Sequence, residues 1–181
     1  MRDFNEVLKK ISYGEYDEML SEFYGIDNLI YQKDRLIKAI NIFGHYFGTD
    51  KRISIFSAPA RMEISGNHTD HQWGNVVSAS INMDTIGIVS PNNDGVIRVK
   101  SNGYPIDEVA VSLKIKGDPM EYSPLGDFVI ADLDPYPNEI YRSIALIRGI
   151  AAKFYLMGKE LNGFDCYTTS DILHGAGLSS S

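Results

Sequence analysis

The sequence predicts an α+β fold. Helical apolar spacing fills the first third, short β-rich runs separated by turn residues begin at Arg52, and one long amphipathic helix leads into a last strand. Each element follows from a local pattern.

Phe4, Val7, Leu8 and Ile11 fall at i, i+3, i+4 and i+7, and Tyr16, Met19, Leu20 and Phe23 repeat that spacing. Side chains so spaced share one helical face, so two short helices are expected, the second ending at Gly25. A third is expected from Asp27 to Phe47. Asp27 is its N-cap, Gly48 its stop, and Leu29, Leu36, Ile37, Ile40 and Phe43 line one side. Residues 1–48 thus read as a helical extension ahead of a domain over 49–181.

The runs "RISIFSA", "VVSASIN", "TIGIVS" and "VIRVKS" are rich in β-branched residues and bounded by turn formers, so each reads as a strand. The last two flank "PNNDG", whose Asn and Gly tolerate the positive φ of tight turns, and are expected to pair as an antiparallel hairpin. The stretch from Asn102 to Pro137, rich in Pro, Gly and acids, predicts no element. A helix is expected from Asn138 to Leu161. Ile140, Ile144, Ile147, Ala151, Phe154 and Tyr155 form its buried side, and Gly163 lies beyond its end. "GFDCYTTS" reads as a strand running into "DILHGAGLSSS", where the chain stops at the expected start of a further helix.

Composition narrows the function classes. A chain of 181 residues with 44% hydrophobic content can bury one domain's core. With 24 acidic against 17 basic residues and a net charge of -7, bulk electrostatics draw it neither to nucleic acid nor to an anionic membrane. The N-terminus "MRDFNEVLKK" lacks an apolar signal region, and no segment approaches the ~20 apolar residues of a spanning helix, so neither export nor insertion is expected. A single cysteine, Cys166, rules out an intrachain disulfide. Its apolar flanks predict a buried, inert thiol, in keeping with a cytoplasmic protein.

Two stretches carry chemistry. "GAGLSSS" places glycines and hydroxyls directly after a strand, where backbone N–H groups and serine hydroxyls can wrap phosphate oxygens. It lacks the lysine of a Walker A loop and the third glycine of a dinucleotide fingerprint. In "ARMEISGNHTDHQWG", Gly66 and Gly74 bound an irregular segment in which Asn67, His68, Asp70 and His71 can converge, with Arg61 as a nearby permanent cation. Such an array of donors and acceptors suits a hydroxyl-rich ligand. A surface turn satisfied by its own Asn, Asp and Thr side chains is the bland alternative. A zinc hydrolase is the sharper one, because "GNHTDH" approaches H-x-H-x-D-H, although Gly66 stands where the first histidine belongs.

Together the two stretches resemble one family, the galactokinases of the GHMP group of small-molecule kinases. Its first motif, G-R-x-N-L-I-G-E-H-T-D-Y-N-x-G, is similar to "ARMEISGNHTDHQWG", and its second, P-x-G-x-G-L-S-S-S, to "LHGAGLSSS". The resemblance covers the chain from about residue 50. It implies a two-layer domain like domain 2 of ribosomal protein S5, the N-terminal domain of a GHMP kinase, cut at the nucleotide loop. It also implies transfer of the ATP γ-phosphoryl group to the anomeric hydroxyl of galactose or a related sugar, with ATP and Mg²⁺ required.

Residue by residue, Arg61 is implied as the transition-state-stabilising cation, and Asn67, His68, Thr69 and Asp70 as the lining of the sugar pocket. Gly175, Ala176, Gly177, Leu178, Ser179, Ser180 and Ser181 are implied as the ATP phosphate loop, Ser181 also as the Mg²⁺ ligand. The family's catalytic aspartate has no counterpart in this sequence, so these residues alone are expected to be inactive. The apolar surface a second domain would cover is expected to favour self-association. Asn67 stands in place of the family's glutamate, a neutral amide for an anionic acceptor, which leaves the sugar open. Glu63, Ser65, His71, Ala60 and Leu173 also depart from the motifs. A non-catalytic sugar and ATP sensor of the same family is the alternative function.

Overall fold

The computed structural model describes residues 1–67, 69, 72–110, 143–159 and 161–172. It is α+β, and its described residues fall into two compact units. One comprises residues 1–88 and the chain from Tyr167; the other is Val89–Cys166.

The first unit begins with strand β1 (Arg2–Asp3) and helices α1 (Phe4–Ser12) and α2 (Asp17–Tyr24), then a 3₁₀ turn (Ile26–Asn28) and helix α3 (Leu29–Phe47). Asp3 starts α1 by accepting the amides of Asn5 and Glu6 at 2.9 and 3.1 Å, which satisfies orphan donors of the first turn. β1 pairs antiparallel with strand β2 (Arg52–Ser65), Arg2 facing Ile53. Strand β3 (Val77–Pro91) neighbours β2, and strand β6 (Phe164–Ser170) neighbours β3.

The core sits where the helices cover these strands. Phe4, Val7 and Ile11 of α1, Leu20 of α2 and Leu36, Ile40 and Phe43 of α3 pack with Ile53, Ile86, Ile88 and Tyr167. The helical periodicity therefore marked the buried faces of α1 and α3. In α2 it marked too many residues: Leu20 is buried, whereas Met19 and Phe23 are exposed. Asp27, the expected cap of the third helix, lies in the 3₁₀ turn, and α3 starts two residues later. All of "VVSASIN" but Val76 and the whole of "TIGIVS" belong to one strand, β3, which runs on through Met83 and Asp84 without a break.

A buried ionic junction lies inside this unit. Arg35 of α3 reaches Asp84 of β3, Nη1 to Oδ1 at 2.6 Å and Nη2 to the Asp84 carbonyl at 2.9 Å. The same Nη1 lies 3.1 Å from Asp171 Oδ2, just beyond β6. Tyr24 donates to Asp84 at 2.6 Å, and Ser57 of β2 donates to the same oxygen. Tyr31 and Gln32 donate to Asp171 at 2.8 and 3.3 Å. Burial first, and the Asp84 carboxylate next, push the Tyr24 hydroxyl up to about 12.

The second unit contains the end of β3, strand β4 (Val96–Ser101), strand β5 (Ile106–Ala110), helix α4 (Ser143–Leu156) and the start of β6. β4 and β5 form an antiparallel pair with Val96 opposite Ala110. Ala151 and Ala152 of α4 pack on Ile97 and Val109, flanked by Ile144 and Ile147. The expected helix from 138 to 161 thus ends early at a Met157–Gly158 turn, and Phe154 is exposed. Residues 138–142 lie outside the described residues. Cys166 is buried, and burial pushes its thiol up to about 12, so it is the inert thiol expected.

The expected hairpin across "PNNDG" does not form, because β6 lies between β3 and β4 in the strand order. The turn is instead built around the incoming chain. Asn92 donates its backbone N–H to the Gly163 carbonyl at 3.0 Å, and its side-chain amide reaches Val96 O at 2.9 Å and Asp165 Oδ1 at 3.0 Å. Arg98 of β4 adds a 3.2 Å contact to the same Asp165 oxygen. Gly163 fits between the two sides only because it has no side chain: a Cβ there would lie 2.1 Å from Asn92 Oδ1 and 2.5 Å from Val96 N. Gly163→Ala is expected to lower unfolding stability by about 2–3 kcal/mol, the upper range for forced overpacking. Denaturant unfolding checks this, and an unchanged midpoint would show that β6 is not held this closely.

Candidate functional site

The segment singled out by its polar density joins β2 to β3 in the first unit. In β2 Ala60 is buried while Pro59 and Arg61 on either side of it are exposed, so Arg61 is carried on the strand face opposite the Ala60 methyl. Arg61 comes five residues before Gly66, where the strand gives way to the loop.

Backbone conformation and one threonine close that loop. Gly66 (φ 124), Asn67 (φ 54) and Trp73 (φ 64) take positive φ, which reverses the chain within a few residues. Thr69 is the hub. Its hydroxyl donates to the Gly66 carbonyl at 2.8 Å, and its own carbonyl accepts from Gln72 N at 2.9 Å and Gly74 N at 2.8 Å. A Cβ on Gly66 would stand 2.6 Å from Val76 Cα, and one on Gly74 would stand 2.1 Å from Thr69 Oγ1. The two glycines therefore close the loop at its base and against its hub.

Asn67 and Trp73 are exposed on this frame, Trp73 completely. Positive φ at a non-glycine residue is favoured mainly for Asn and Asp, so Asn67 meets the backbone demand while presenting an amide that can both donate and accept. The hydroxyl proton of Thr69 is spent inside the loop, which leaves its oxygen free only to accept.

Of the expected site residues, Arg61, Asn67 and Thr69 lie among those described, the latter two in one closed loop. His68, Asp70, His71 and the phosphate-loop residues Gly175 to Ser181 lie outside the described residues. The zinc reading rests on that histidine run. Among the described residues, no group of three His, Cys, Asp or Glu side chains could hold a metal. Also among the described residues, no helix is long and apolar enough to cross a membrane.

Sequence reasoning passed over the Arg35, Asp84 and Asp171 junction. Its signal was present: an aspartate inside the apolar run "SINMDTIGIV", and an arginine one residue before Leu36 on the buried side of a helix.

Three comparisons bear on this geometry. The galactokinase galactose-binding signature matches residues 41–91, from the end of α3 through the loop to the end of β3. The chain is 30% identical over 144 residues to a galactokinase of Bacillus subtilis, covering 77% of this chain and 32% of that protein. It is 28% identical over 140 residues to one of Lactococcus lactis, covering 77% and 31%. The crystal structure of Lactococcus lactis galactokinase complexed with galactose superposes with a TM-score of 0.58 at 24% identity, over 81% of this chain and 34% of that one. That likeness shows a shared fold. The chain spans about a third of the length of the curated relatives it matches.

The loop depends on the absence of a side chain at Gly74. Gly74→Ala must displace Thr69, and the amides of Gln72 and Gly74, both bonded to the Thr69 carbonyl, are expected to exchange with solvent about tenfold faster or more. Amides of β3 beyond Asp84 keep their protection. Unchanged exchange at Gln72 would show that Thr69 does not hold the loop.

Proposed function

We propose that this chain, a relative of galactokinases, is the sugar-binding part of a kinase that transfers the ATP γ-phosphoryl group to the anomeric hydroxyl of galactose or a related sugar. The supporting observation is the match of the galactose-binding signature to the very residues that build the closed loop and the strand carrying Arg61.

In this reading Asn67, His68, Thr69 and Asp70 meet the sugar hydroxyls, each of which both donates and accepts and so needs partners of both kinds once it leaves water. Arg61 supplies positive charge to the phosphoryl group as it passes between oxygens, a role its permanent charge suits. Gly175 to Ser181 cradle the ATP phosphates, and Ser181 is a ligand of the Mg²⁺ that the nucleotide brings. Phosphoryl transfer asks mainly for positioning and charge neutralisation, which a strand-borne cation and a closed loop are built to give. The bond from the γ-phosphorus to its bridging oxygen breaks, a bond to the sugar oxygen forms, and the hydroxyl proton passes to a base.

Residues 1–48 serve as a helical extension to the catalytic domain from 49 onward, in a protein of the cytoplasm. Exposed apolar side chains support self-association: Phe56, Met62 and Ile64 in the first unit, and Leu146, Ile150 and Phe154 in the second.

Two measurements test the reading. Full-length protein should show ATP turnover that depends on galactose or a near relative in a hexose panel. Sugar binding without turnover would favour the sensor, and neither would sink the kinase reading. By calorimetry, Asn67→Glu is expected to tighten galactose binding about tenfold, as one more charged acceptor would. No heat from either folded protein would remove galactose as the sugar.

A further inference from the structure

A recess of about 430 Å³ lies in the first unit, between the N-terminal helices and strand β2. Val7 and Ile11 of α1, Leu20 of α2, Ile53 of β2 and Ile86 of β3 give it apolar walls. All five are buried members of the core cluster, so these walls are held in place by packing. Met19 and Phe23 of α2 also line the recess and are exposed, so it opens to solvent beside them. The helical spacing that marked these two residues for burial thus turns them toward a space that no described residue fills.

One patch of the lining is polar, and its chemistry is definite. Tyr24 and Ser57 both line the recess, and both hydroxyls donate to the same Asp84 oxygen, Tyr24 at 2.6 Å. The other Asp84 oxygen accepts from Arg35 at 2.6 Å, so a guanidinium already matches that carboxylate's charge. With its hydroxyl pushed up to about 12, Tyr24 keeps its proton at neutral pH. A hydroxyl carries one proton and two lone pairs; with both protons committed to Asp84, the two oxygens can only accept. Arg2, a charged side chain in the lining, donates to Tyr16 at 3.2 Å and lies 3.8 Å from Glu6. At the Tyr24–Ser57 patch an anion would meet acceptor oxygens, and a cation would meet a carboxylate that Arg35 has neutralised. A neutral donor meets an acceptor that still has room for it.

We propose that this recess is a binding site for a small, neutral, largely apolar molecule bearing one hydrogen-bond donor: the core side chains take its hydrocarbon body, and the Tyr24–Ser57 pair accepts from its donor. Small-molecule sites commonly combine such apolar walls with a few fixed polar groups, in volumes of roughly 300–1,000 Å³. The site shares no residue with the Gly66–Val76 loop and does not depend on the kinase reading. Its occupant rests against β2, the strand that also carries Arg61.

The test titrates full-length protein with para-butylphenol and with its methyl ether, which has the same body and no donor, while the methyl resonances of Ile11, Ile53 and Ile86 are followed. Saturable shifts at those methyls are expected with the phenol, at an affinity about fivefold above that of the ether, the effect of about one neutral hydrogen bond. Met19→Trp places a larger ring at an exposed position beside the opening. It is expected to weaken the phenol about tenfold while the unliganded protein keeps its melting temperature. An ether that binds as tightly as the phenol would overturn the donor assignment. Shifts at none of the three methyls, or a phenol affinity untouched by Met19→Trp, would overturn the site.

Discussion

The guanidinium of Arg35, buried between Asp84 and Asp171, is the contact on which the first unit's geometry depends. It is the point where helix α3 and strands β3 and β6 meet, with Tyr24, Ser57, Tyr31 and Gln32 completing the shell. A charge taken out of water this far is tolerable only when its partners are close, as they are for Arg35 Nη1 and Nη2 although Nε has none, and removal of one member of such a pair typically costs about 3–5 kcal/mol. An apolar cluster of similar volume could stabilise the unit as well. What the ionic version adds is direction, because guanidinium and carboxylate fit one another in few orientations. Helix α3 and strands β3 and β6 are thereby held in direction as well as buried.

Apolar periodicity made much of this legible. Phe4, Val7 and Ile11, then Leu36, Ile40 and Phe43, are buried where helical spacing puts them, because nothing competes with burial there. The pattern failed where a polar residue took a core position or a partner came from far along the chain. β5 escaped notice because Asp107, buried on the core side with a bond from Ser143 of α4, stands where an apolar residue would have shown the alternation. The hairpin was misread for the second reason. "PNNDG" has the chemistry of a tight turn, but β6, arriving some 70 residues later, takes the place beside β3, and local turn preference cannot register a strand so distant.

The candidate site shows the same division. Gly66, Gly74 and the polar residues between them announced an irregular, closed segment, and the described residues form one around Thr69. That Thr69 would serve as the hub was not legible, since its three partners are set by a fold-back that spacing does not specify. Asn67 carries two demands, a left-handed backbone and an exposed amide, and asparagine meets both.

The central claim is that the Gly66–Val76 loop receives a sugar. It is tested most directly by titrating galactose while following the indole N–H resonance of Trp73, the chain's one tryptophan, and the backbone amides of Asn67 and Thr69. The account predicts a saturable shift at all three, with β4 and β5 resonances unmoved. Shifts absent from this loop, or confined to residues elsewhere in the chain, would contradict it.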